Sequence, residues 1–476
     1  MTISIWRYSH LLLALISALF IFIATVTGIV LAVEPISNQL QPYAIKKAET
    51  LVLSETLKIL KNEYDEVVTL NIDTNDFVVV SVITKNGKSD TFYVNPFTGK
   101  KLGKLIKRAS IYEFATNLHR SLFLKSTGRF LVGLFSFLLL LIALTGIKLI
   151  LKRQGGVKRF FSKVVYENFE QYYHVVIGRY TLIPVVIITI TGIFLSLEKF
   201  DALPSDRIIY KSFDIKKHSK KLNVQDFEIF KITELKQLKS IEFPFSNQEE
   251  DYFMLELKDE TLHINQYSGE VISKGETPFI ALASHWSIIL HTGQGTIIWS
   301  IILLLTCFAI LFFMYSGFAM SLKRKEKTLK IKNKFKKDES EYIILVGSET
   351  GNTISFANLF FDALIAKGHT VFIDELNTYS SYRKAKQLIV FTATYGEGEA
   401  PSNAKKFQSL LESVHQDNSI KYSVVGFGSL MYPDFCKYAI VVDALLQKHQ
   451  SFIPNSPIFK INNQSFEAFI TWLNQW

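Results

Sequence analysis

The chain has 476 residues and a net charge of +10, with 48% hydrophobic and only 20% charged residues. The low charged fraction and a mean hydropathy of +0.20 exclude a disordered chain and argue against a purely soluble protein, for which about 25% charged residues is typical. Two cysteines, Cys307 and Cys436, are too few for a disulfide framework or a Cys-ligated zinc or iron–sulfur site.

Four apolar stretches are long enough to cross a bilayer, which takes about 20 residues. They predict membrane-spanning helices within residues 1–33, 116–152, 171–198 and 284–322. A cleaved signal peptide is the alternative for the first stretch. Its apolar run is too long for that, and no small-residue cleavage motif follows it.

Lysine and arginine residues concentrate in two segments, 153–170 and 323–340, after the second and fourth apolar stretches. The positive-inside rule places both segments in the cytoplasm. The chain is therefore predicted to be a multi-pass inner-membrane protein whose long loops, 34–115 and 199–283, face the periplasm. The positive charge then indicates topology and contact with membrane lipid, not nucleic-acid binding.

The membrane part repeats itself, which indicates two copies of a span, an outer domain and a second span. Each loop combines short strands with a glycine turn, at 93–102 and at 264–272, and predicts a small α+β domain. Each half also has two histidines followed by a hydroxyl residue and a glycine, at spacings that correspond between the halves: His10 with Thr27-Gly28, His119 with Thr145-Gly146, His174 with Thr191-Gly192, and His291 with Ser316-Gly317. The Thr-Gly pairs are predicted to allow close helix packing.

Four of these histidines form two sets at matched depth. His10 and His174 begin the first and third spans, whereas His119 and His291 come shortly before the second and fourth. Two histidines from different helices can supply both axial ligands of a haem iron. Because 18 residues of helix span about 27 Å, one haem near each membrane face is predicted. Interfacial side chains or interhelical hydrogen bonds are the alternative.

Three further residues leave alternatives open. His285 competes with His291 as a ligand, since the two lie about 240° apart around a helix and cannot both face one haem. The Leu-His flank of His291 matches that of His119 and favours His291. Arg129 and Arg179 could pair with haem propionates or extend to lipid headgroups, and the sequence does not decide between these roles.

The repeated part resembles the PepSY-associated transmembrane family over residues 1 to about 325. The resemblance rests on the Asn95–Gly99 turn, on the Leu-His elements at His119 and His291, and on the Thr-Gly endings. It implies two small PepSY-like outer domains and haem of the b type. Because similar proteins are linked to ferric-siderophore reduction in the periplasm, it also implies a role in iron acquisition.

Residues 341–476 have a different character, with apolar strands at 342–346, 387–391 and 422–425 that each run into a polar, glycine-containing loop. Such strands predict a doubly wound α/β domain whose ligand binds at the carboxyl ends of the strands. The loop 347–353 leads into a helix and predicts a phosphate cradle. It lacks the Gly-Lys-Ser/Thr of a P-loop NTPase, and no Gly-x-Gly-x-x-Gly fingerprint is present.

These three loops resemble the flavodoxin-like FMN domain of sulfite reductase flavoproteins and related diflavin reductases. The resemblance implies that Ser348, Thr350, Asn352 and Thr353 hold the FMN phosphate. It implies that Tyr395 and Tyr432 flank the flavin ring and that Gly396 lies near its N5 edge. The other loop residues implied to contact FMN are Glu349, Gly351, Thr392, Ala393, Thr394, Gly426, Gly428 and Phe435. A flavodoxin-like domain with a lost site is the alternative.

Diflavin reductases continue into an FAD and nicotinamide module, which does not follow here, so a separate NAD(P)H-dependent reductase is expected to reduce the FMN. The sequence then predicts a membrane-bound oxidoreductase that carries electrons from cytoplasmic FMN through two haems to a periplasmic ferric siderophore or ferric chelate. One alternative is electron delivery to a periplasmic or membrane redox protein. Another is a haem-free PepSY sensor or peptidase-binding protein with a flavin domain.

Overall fold

The computed structural model describes residues 3–44, 50–166, 168–204, 208–213, 221–326, 333–349, 351–395 and 398–476. The chain divides into two compact units. The flavodoxin-bearing unit comprises residues 1–16, 141–180 and 312–476, and the sheet-bearing unit comprises residues 17–140 and 181–311. Each unit is described by itself below.

The first repeat contains α1 (Ile3–Gln39), α2 (Leu53–Glu63), β1 (Glu66–Ile72), β2 (Val78–Ile83), β3 (Ser89–Val94), β4 (Lys101–Lys104), α3 (Ser110–Ser121) and α4 (Lys125–Gln154). The second contains α5 (Phe169–Lys199), β5 (Tyr210–Ser212), α6 (Glu228–Ile232), β6 (Leu238–Glu242), β7 (Tyr252–Leu257), β8 (Glu260–Asn265), β9 (Val271–Glu276), α7 (Phe279–Thr292) and α8 (Ile297–Glu326). Helices α1, α4, α5 and α8 are long and apolar enough to span a membrane.

The ranges 116–152 and 284–322, which contain the predicted second and fourth spans, each hold parts of two helices. Helix α3 ends at Ser121, and the next residue, Leu122, has a φ of 50° before α4 begins at Lys125. Helix α7 ends at Thr292, and the next residue, Gly293, has a φ of 79° before α8. A left-handed residue cannot continue a right-handed helix. His119 and His291 therefore lie on the short helices α3 and α7 that precede the spans.

The two loop domains join in one antiparallel sheet of nine strands, in the order β4-β3-β2-β1-β6-β7-β8-β9-β5. The first repeat supplies four strands and the second supplies five, and β1 pairs with β6 where the repeats meet. The glycine turns of the repeats share the same hydrogen bonds, because Gly99 donates to the carbonyl of Asn95 and Gly269 to that of Asn265. Buried residues of α2 and α6 pack with buried strand residues and together form one apolar core.

The C-terminal part contains β10 (Tyr342–Gly347), α9 (Asn352–Ala366), β11 (Val371–Glu375), β12 (Gln387–Ala393), α10 (Phe407–Ser413), β13 (Ile420–Gly428), α11 (Lys437–Lys448), β14 (Phe452–Pro454), β15 (Phe459–Asn462) and α12 (Phe466–Gln475). Its parallel strands follow the order β11-β10-β12-β13-β14, and β15 also pairs with β13. Separate apolar clusters cover the two faces of this sheet. The predicted doubly wound flavodoxin-like fold is confirmed.

Candidate functional site

The three predicted FMN loops leave the sheet side by side. Gly347 at the end of β10 lies opposite Thr392 of β12, and Thr392 lies opposite Gly426 of β13. Because these strands are parallel and in register, their loops emerge at one edge of the sheet. That edge is where a doubly wound sheet binds its ligand.

The first loop has the features of a phosphate site. Gly351, with a φ of 85°, precedes α9 and has no side chain to cap the helix. The hydroxyl of Ser348 accepts a hydrogen bond from the Gly351 amide at 3.0 Å, and the Ser348 amide donates to the Asn403 side chain at 2.7 Å. Ser348 and Thr353 are both buried. An uncapped helix N-terminus beside oriented hydroxyl groups fits a bound phosphate.

The second and third loops are held together by hydrogen bonds. The Thr394 amide donates to the carbonyl of Phe427 at 3.1 Å, and the Thr394 hydroxyl accepts from the Tyr438 amide at 3.1 Å. A Cβ on Gly428 would lie 2.9 Å from the Cys436 amide nitrogen and 3.1 Å from the Phe435 ring, so this turn requires glycine. Thr392, Ala393, Gly426, Tyr395 and Tyr432 lie on the same strand ends and loops. Thr350 and Gly396 lie outside the described residues.

The predicted haem ligands form two close pairs. In the flavodoxin-bearing unit, the ring centroids of His10 and His174 are 6.4 Å apart, with 72° between the ring planes. In the sheet-bearing unit, those of His119 and His291 are 6.0 Å apart, with 63° between the planes. His285 is exposed and its ring contacts Trp286. The structure therefore brings His291, and not His285, to His119.

Every one of these four imidazoles is hydrogen-bonded through Nδ1 to a hydroxyl group. The distances are 2.9 Å for His10 to Thr145, 2.9 Å for His119 to Thr27, 2.8 Å for His174 to Ser316 and 3.0 Å for His291 to Thr191. The hydroxyl residues are those of the Thr-Gly and Ser-Gly pairs. The sequence associated these pairs with helix packing alone, and the direct contact with the histidines was missed. Within each repeat, the hydroxyl residue of one helix contacts the histidine of a neighbouring helix. Spacing along a single helix does not show such a contact.

These hydrogen bonds assign the tautomer. Each hydroxyl donates to a backbone carbonyl one turn earlier, at 2.7 Å for Thr27, 2.9 Å for Thr145, 2.7 Å for Thr191 and 2.7 Å for Ser316. A hydroxyl has one hydrogen to donate, so it accepts from the imidazole Nδ1–H. The lone pair is then on Nε2, the nitrogen that a metal ion can bind.

The separation within each pair fits two imidazoles that would share one iron ion. If each Nε2 bound iron at about 2 Å, a typical His–metal distance, the two ring centroids could lie roughly 6 Å apart. No group of three or more metal-binding side chains occurs among the residues that the structure describes. Two protein ligands suffice for haem, because the porphyrin supplies the other four. Glycines make room, since a Cβ on Gly146 would lie 3.4 Å from the His10 ring and one on Gly192 would lie 3.1 Å from that of His291.

Arg179 lies five residues after His174 on α5. Its Nη1 donates to the Ser162 carbonyl at 2.7 Å. Its Nε and Nη2 are buried and have no hydrogen-bond partner among the described residues. Two buried guanidinium donors without an acceptor are costly. They fit a carboxylate such as a haem propionate.

Basic residues of α1 and α4 contact each of the three predicted FMN loops. Arg7 of α1 forms an ion pair with Glu349 of the first loop. At the end of α4, Lys152 Nζ lies 2.5 Å from Glu399 of the second loop, and Arg153 Nε donates to the Tyr432 hydroxyl of the third at 3.2 Å. The sequence placed Arg153 in a basic segment that indicates topology, and no local pattern indicated the contacts of these three residues with the FMN loops. These contacts join the FMN loops to α1, which carries His10, and to α4, which carries Thr145.

Comparison with known proteins identifies both parts of the chain. Residues 7–324 match the family described as PepSY-associated TM region, and residues 344–466 match the flavodoxin family. The chain belongs to the PepSY-associated transmembrane family. The predicted combination of this membrane region with a C-terminal flavodoxin domain is confirmed.

Curated relatives match the flavodoxin domain. Flavodoxin YqcA of Escherichia coli is 34% identical over 116 residues, which are 24% of this chain and 77% of that protein. The inducible nitric oxide synthase of Gallus gallus is 34% identical over 134 residues, which are 27% of this chain and 12% of the synthase. The flavoprotein alpha-component of sulfite reductase from Shewanella sp. (strain ANA-3) is 35% identical over 108 residues, 22% of this chain and 18% of that protein.

Among solved structures, the Streptococcus pneumonia TIGR4 flavodoxin matches 28% of this chain and 92% of its own, with 32% identity and a TM-score of 0.26. The chain covers only 12% of the synthase and 18% of the sulfite reductase component. Their likeness supports an oxidoreductase with an FMN-binding flavodoxin domain, joined here to a multi-pass membrane region.

Proposed function

We propose that this protein carries electrons across the bacterial inner membrane, from FMN in the flavodoxin domain through two b-type haems to a periplasmic acceptor. A ferric siderophore or ferric chelate is the first candidate for that acceptor. The observation that carries the proposal is the presence of two histidine pairs, each with centroids about 6 Å apart and with every Nδ1 engaged by a hydroxyl group. Interhelical hydrogen bonds alone would not require two imidazoles about 6 Å apart, and this arrangement occurs in both pairs.

The chain's own residues would hold the cofactors as follows. His10 with His174, and His119 with His291, would each bind one haem iron. Ser348, Asn352 and Thr353 would hold the FMN phosphate, together with Thr350. Tyr395 and Tyr432 would flank the flavin ring. Arg179 would pair with a propionate of the haem bound by His10 and His174.

Flavin supplies the conversion between two-electron and one-electron chemistry. A separate NAD(P)H-dependent reductase would provide two electrons per hydride, so each hydride accounts for two ferric ions reduced to ferrous. The basic segments 153–170 and 323–340 support a cytoplasmic flavodoxin domain by the positive-inside rule. The sheet would then lie in the periplasm.

The test is a reduced-minus-oxidised visible spectrum of the detergent-purified full chain, with haem and FMN quantified per chain. We expect two b-type haems and one FMN. Alanine variants of His10, His119, His174 and His291 should each lose one haem, and His285→Ala is the matched control that should keep both. FMN without haem, in protein produced with ample haem, would overturn the conduit and leave a flavin-carrying sensor or binding protein.

The acceptor needs a separate experiment. Chemically reduced protein is mixed with a ferric chelate, and haem reoxidation is followed by absorbance. Rapid reoxidation supports iron reduction. No acceleration over the protein alone would point instead to a periplasmic or membrane redox protein as acceptor.

A further inference from the structure

A cavity of about 350 Å3 lies where α3 meets α4 and α5 in the sheet-bearing unit. Its lining consists almost entirely of hydrogen-bond donors. Four of the lining side chains are cationic and two of the others are an amide and a hydroxyl: Arg120, Lys125, Arg129, Lys199, Asn117 and Ser126. Such a composition is the one expected of an anion site.

Close contact between α4 and α5 places cations of both helices at the cavity. The Ser196 hydroxyl on α5 donates to the Arg129 carbonyl on α4 at 2.8 Å. A Cβ on Gly133 would lie 2.3 Å from that hydroxyl oxygen, so the two helices approach closely here. Lys199 is three residues after Ser196 on the same face of α5. Arg129 and Lys199 therefore converge from two helices.

The four cations have no carboxylate partner within ion-pair distance among the described residues. Nearby Arg108 differs, because it forms two hydrogen bonds to Glu34, at 2.6 and 2.7 Å. Four like charges around one cavity repel each other. A bound anion would remove that repulsion and would meet several donors at once.

The second repeat shows that the fold itself does not need this charge. Its corresponding segment, 292–301, joins α7 to α8 and contains no charged residue. In the proposed topology the four cations also lie on the periplasmic side, where the positive-inside rule disfavours them. The second repeat lacks these cations, and the positive-inside rule disfavours them on the periplasmic side. A bound ligand therefore explains them better than a requirement of the fold.

We propose that this cavity binds a small anion with carboxylate or phosphate groups. The role of this site rests on the proposed function. Arg120 directly follows His119, so a bound anion that accepts electrons would lie beside the His119–His291 pair. The volume is at the small end of the roughly 300–1,000 Å3 of ligand pockets, which suits a small polyanion or the anionic part of a larger chelate. A phospholipid headgroup has the same chemistry.

The experiment is isothermal titration of citrate, and separately of inorganic phosphate, into the full chain in phosphatidylcholine nanodiscs. We expect citrate binding that weakens at least about tenfold in Arg129→Gln and in Lys199→Gln, as loss of one charged hydrogen bond implies. Arg129→Lys should retain most of the affinity. Lys107→Gln removes a periplasmic-side cation outside the cavity and is the matched control.

The outcomes separate the sources and the two proposals. Weaker citrate binding in phosphatidylglycerol nanodiscs, with that lipid retained by the wild type but not by Arg129→Gln, would assign the cavity to lipid and overturn a soluble ligand. No citrate binding, or equal binding by all variants, would overturn the site, and so would loss of haem from Arg129→Gln with citrate binding intact. Haem and FMN are quantified in the same samples. Citrate binding by protein that contains no haem would overturn the proposed electron transfer and leave the anion site supported.

Discussion

At the scale of single residues, the decisive feature is the hydroxyl group behind each histidine. His119 shows it most fully, because its Nδ1 also lies 2.9 Å from the Ala24 carbonyl, which can only accept. Nδ1 therefore carries the hydrogen. Partners of this kind orient a metal-binding imidazole and fix its tautomer. The four hydroxyl residues are positioning residues for the proposed haems.

The first prediction concerns Thr145, which accepts from His10. Thr145→Val keeps the side-chain shape but removes the hydroxyl, so we expect haem affinity at the His10–His174 pair to fall about 10–100-fold. Thr145→Ser should preserve it, since Ser316 serves His174 in the same way. Haem affinity is measured by competition with an apoglobin, and the electron paramagnetic resonance spectrum reports ligand geometry.

Thr189→Val is the control for this change. Thr189 is buried and donates to the Val185 carbonyl at 2.9 Å, but it contacts none of the four histidines. It should leave haem affinity and spectrum unchanged. Equal losses in both variants would mean that the hydroxyl acts only on helix packing.

The second prediction concerns Cys436, which is buried beside Gly426 and Gly428 in the third FMN loop. Burial raises the pKa of its thiol to about 12. At neutral pH the thiol stays protonated, and a thiol reacts far more slowly than a thiolate. We expect N-ethylmaleimide to leave Cys436 unlabelled in the folded protein and to label it after denaturation, as measured by peptide mass spectrometry. Labelling of the native protein at pH 7 would show that this loop opens.

At the scale of secondary-structure elements, periodicity and turn chemistry predicted most of the fold. The short strands beside the glycine turns at Gly99 and Gly269 are local signals, so the sequence alone located them. The joining of β1 to β6 was not predictable, because edge pairing depends on backbone hydrogen bonds that any residue can make. The break between α3 and α4 was missed because Leu122 adopts a left-handed conformation without being glycine.

Candidate site residues divide in the same way. The FMN loops follow strand ends, so the topology brings Gly347, Thr392 and Gly426 together as expected. The pairing of His10 with Thr145 and of Lys152 with Glu399 joins residues 135 and 247 positions apart. No local pattern carries such contacts.

The third prediction concerns the ion pairs between helix ends and FMN loops. Lys152→Glu should slow electron transfer from FMN to haem about fivefold, since an ion pair of about 1 kcal/mol changes a docking equilibrium by that factor. The double variant Lys152→Glu with Glu399→Lys should recover the rate. Rising salt should slow the wild type, because ions screen such pairs. Stopped-flow absorbance after rapid FMN reduction gives these rates.

Lys386→Glu is the matched charge reversal. Lys386 pairs with Glu341 at 2.5 Å, at the amino end of the same sheet and away from the FMN loops. It should not change the rate or its salt dependence. If Lys152→Glu leaves the rate of electron transfer from FMN to haem unchanged, with normal FMN and haem contents, these contacts do not limit the transfer.

At the scale of the whole molecule, the chain combines a duplicated membrane part with a single flavodoxin domain. The duplication gives each histidine pair one member from each repeat, His10 with His174 and His119 with His291. Only the first of these pairs belongs to the unit that also contains the FMN loops. The proposed function therefore has a direction, from the FMN loops to the His10–His174 pair and then to the His119–His291 pair.

The last prediction tests that order with two single variants. In His10→Ala, electrons entering at FMN should no longer reach the remaining haem, although dithionite should still reduce it. In His119→Ala, the haem held by His10 and His174 should be reduced from FMN at the wild-type rate, while a ferric chelate added on the sheet side should no longer be reduced. Proteoliposomes with the donor on one side and the chelate on the other make both measurements in one preparation. Reduction from FMN that survives in His10→Ala would contradict the order, because it would require electrons to reach the His119–His291 pair without the pair in the unit that contains the FMN loops.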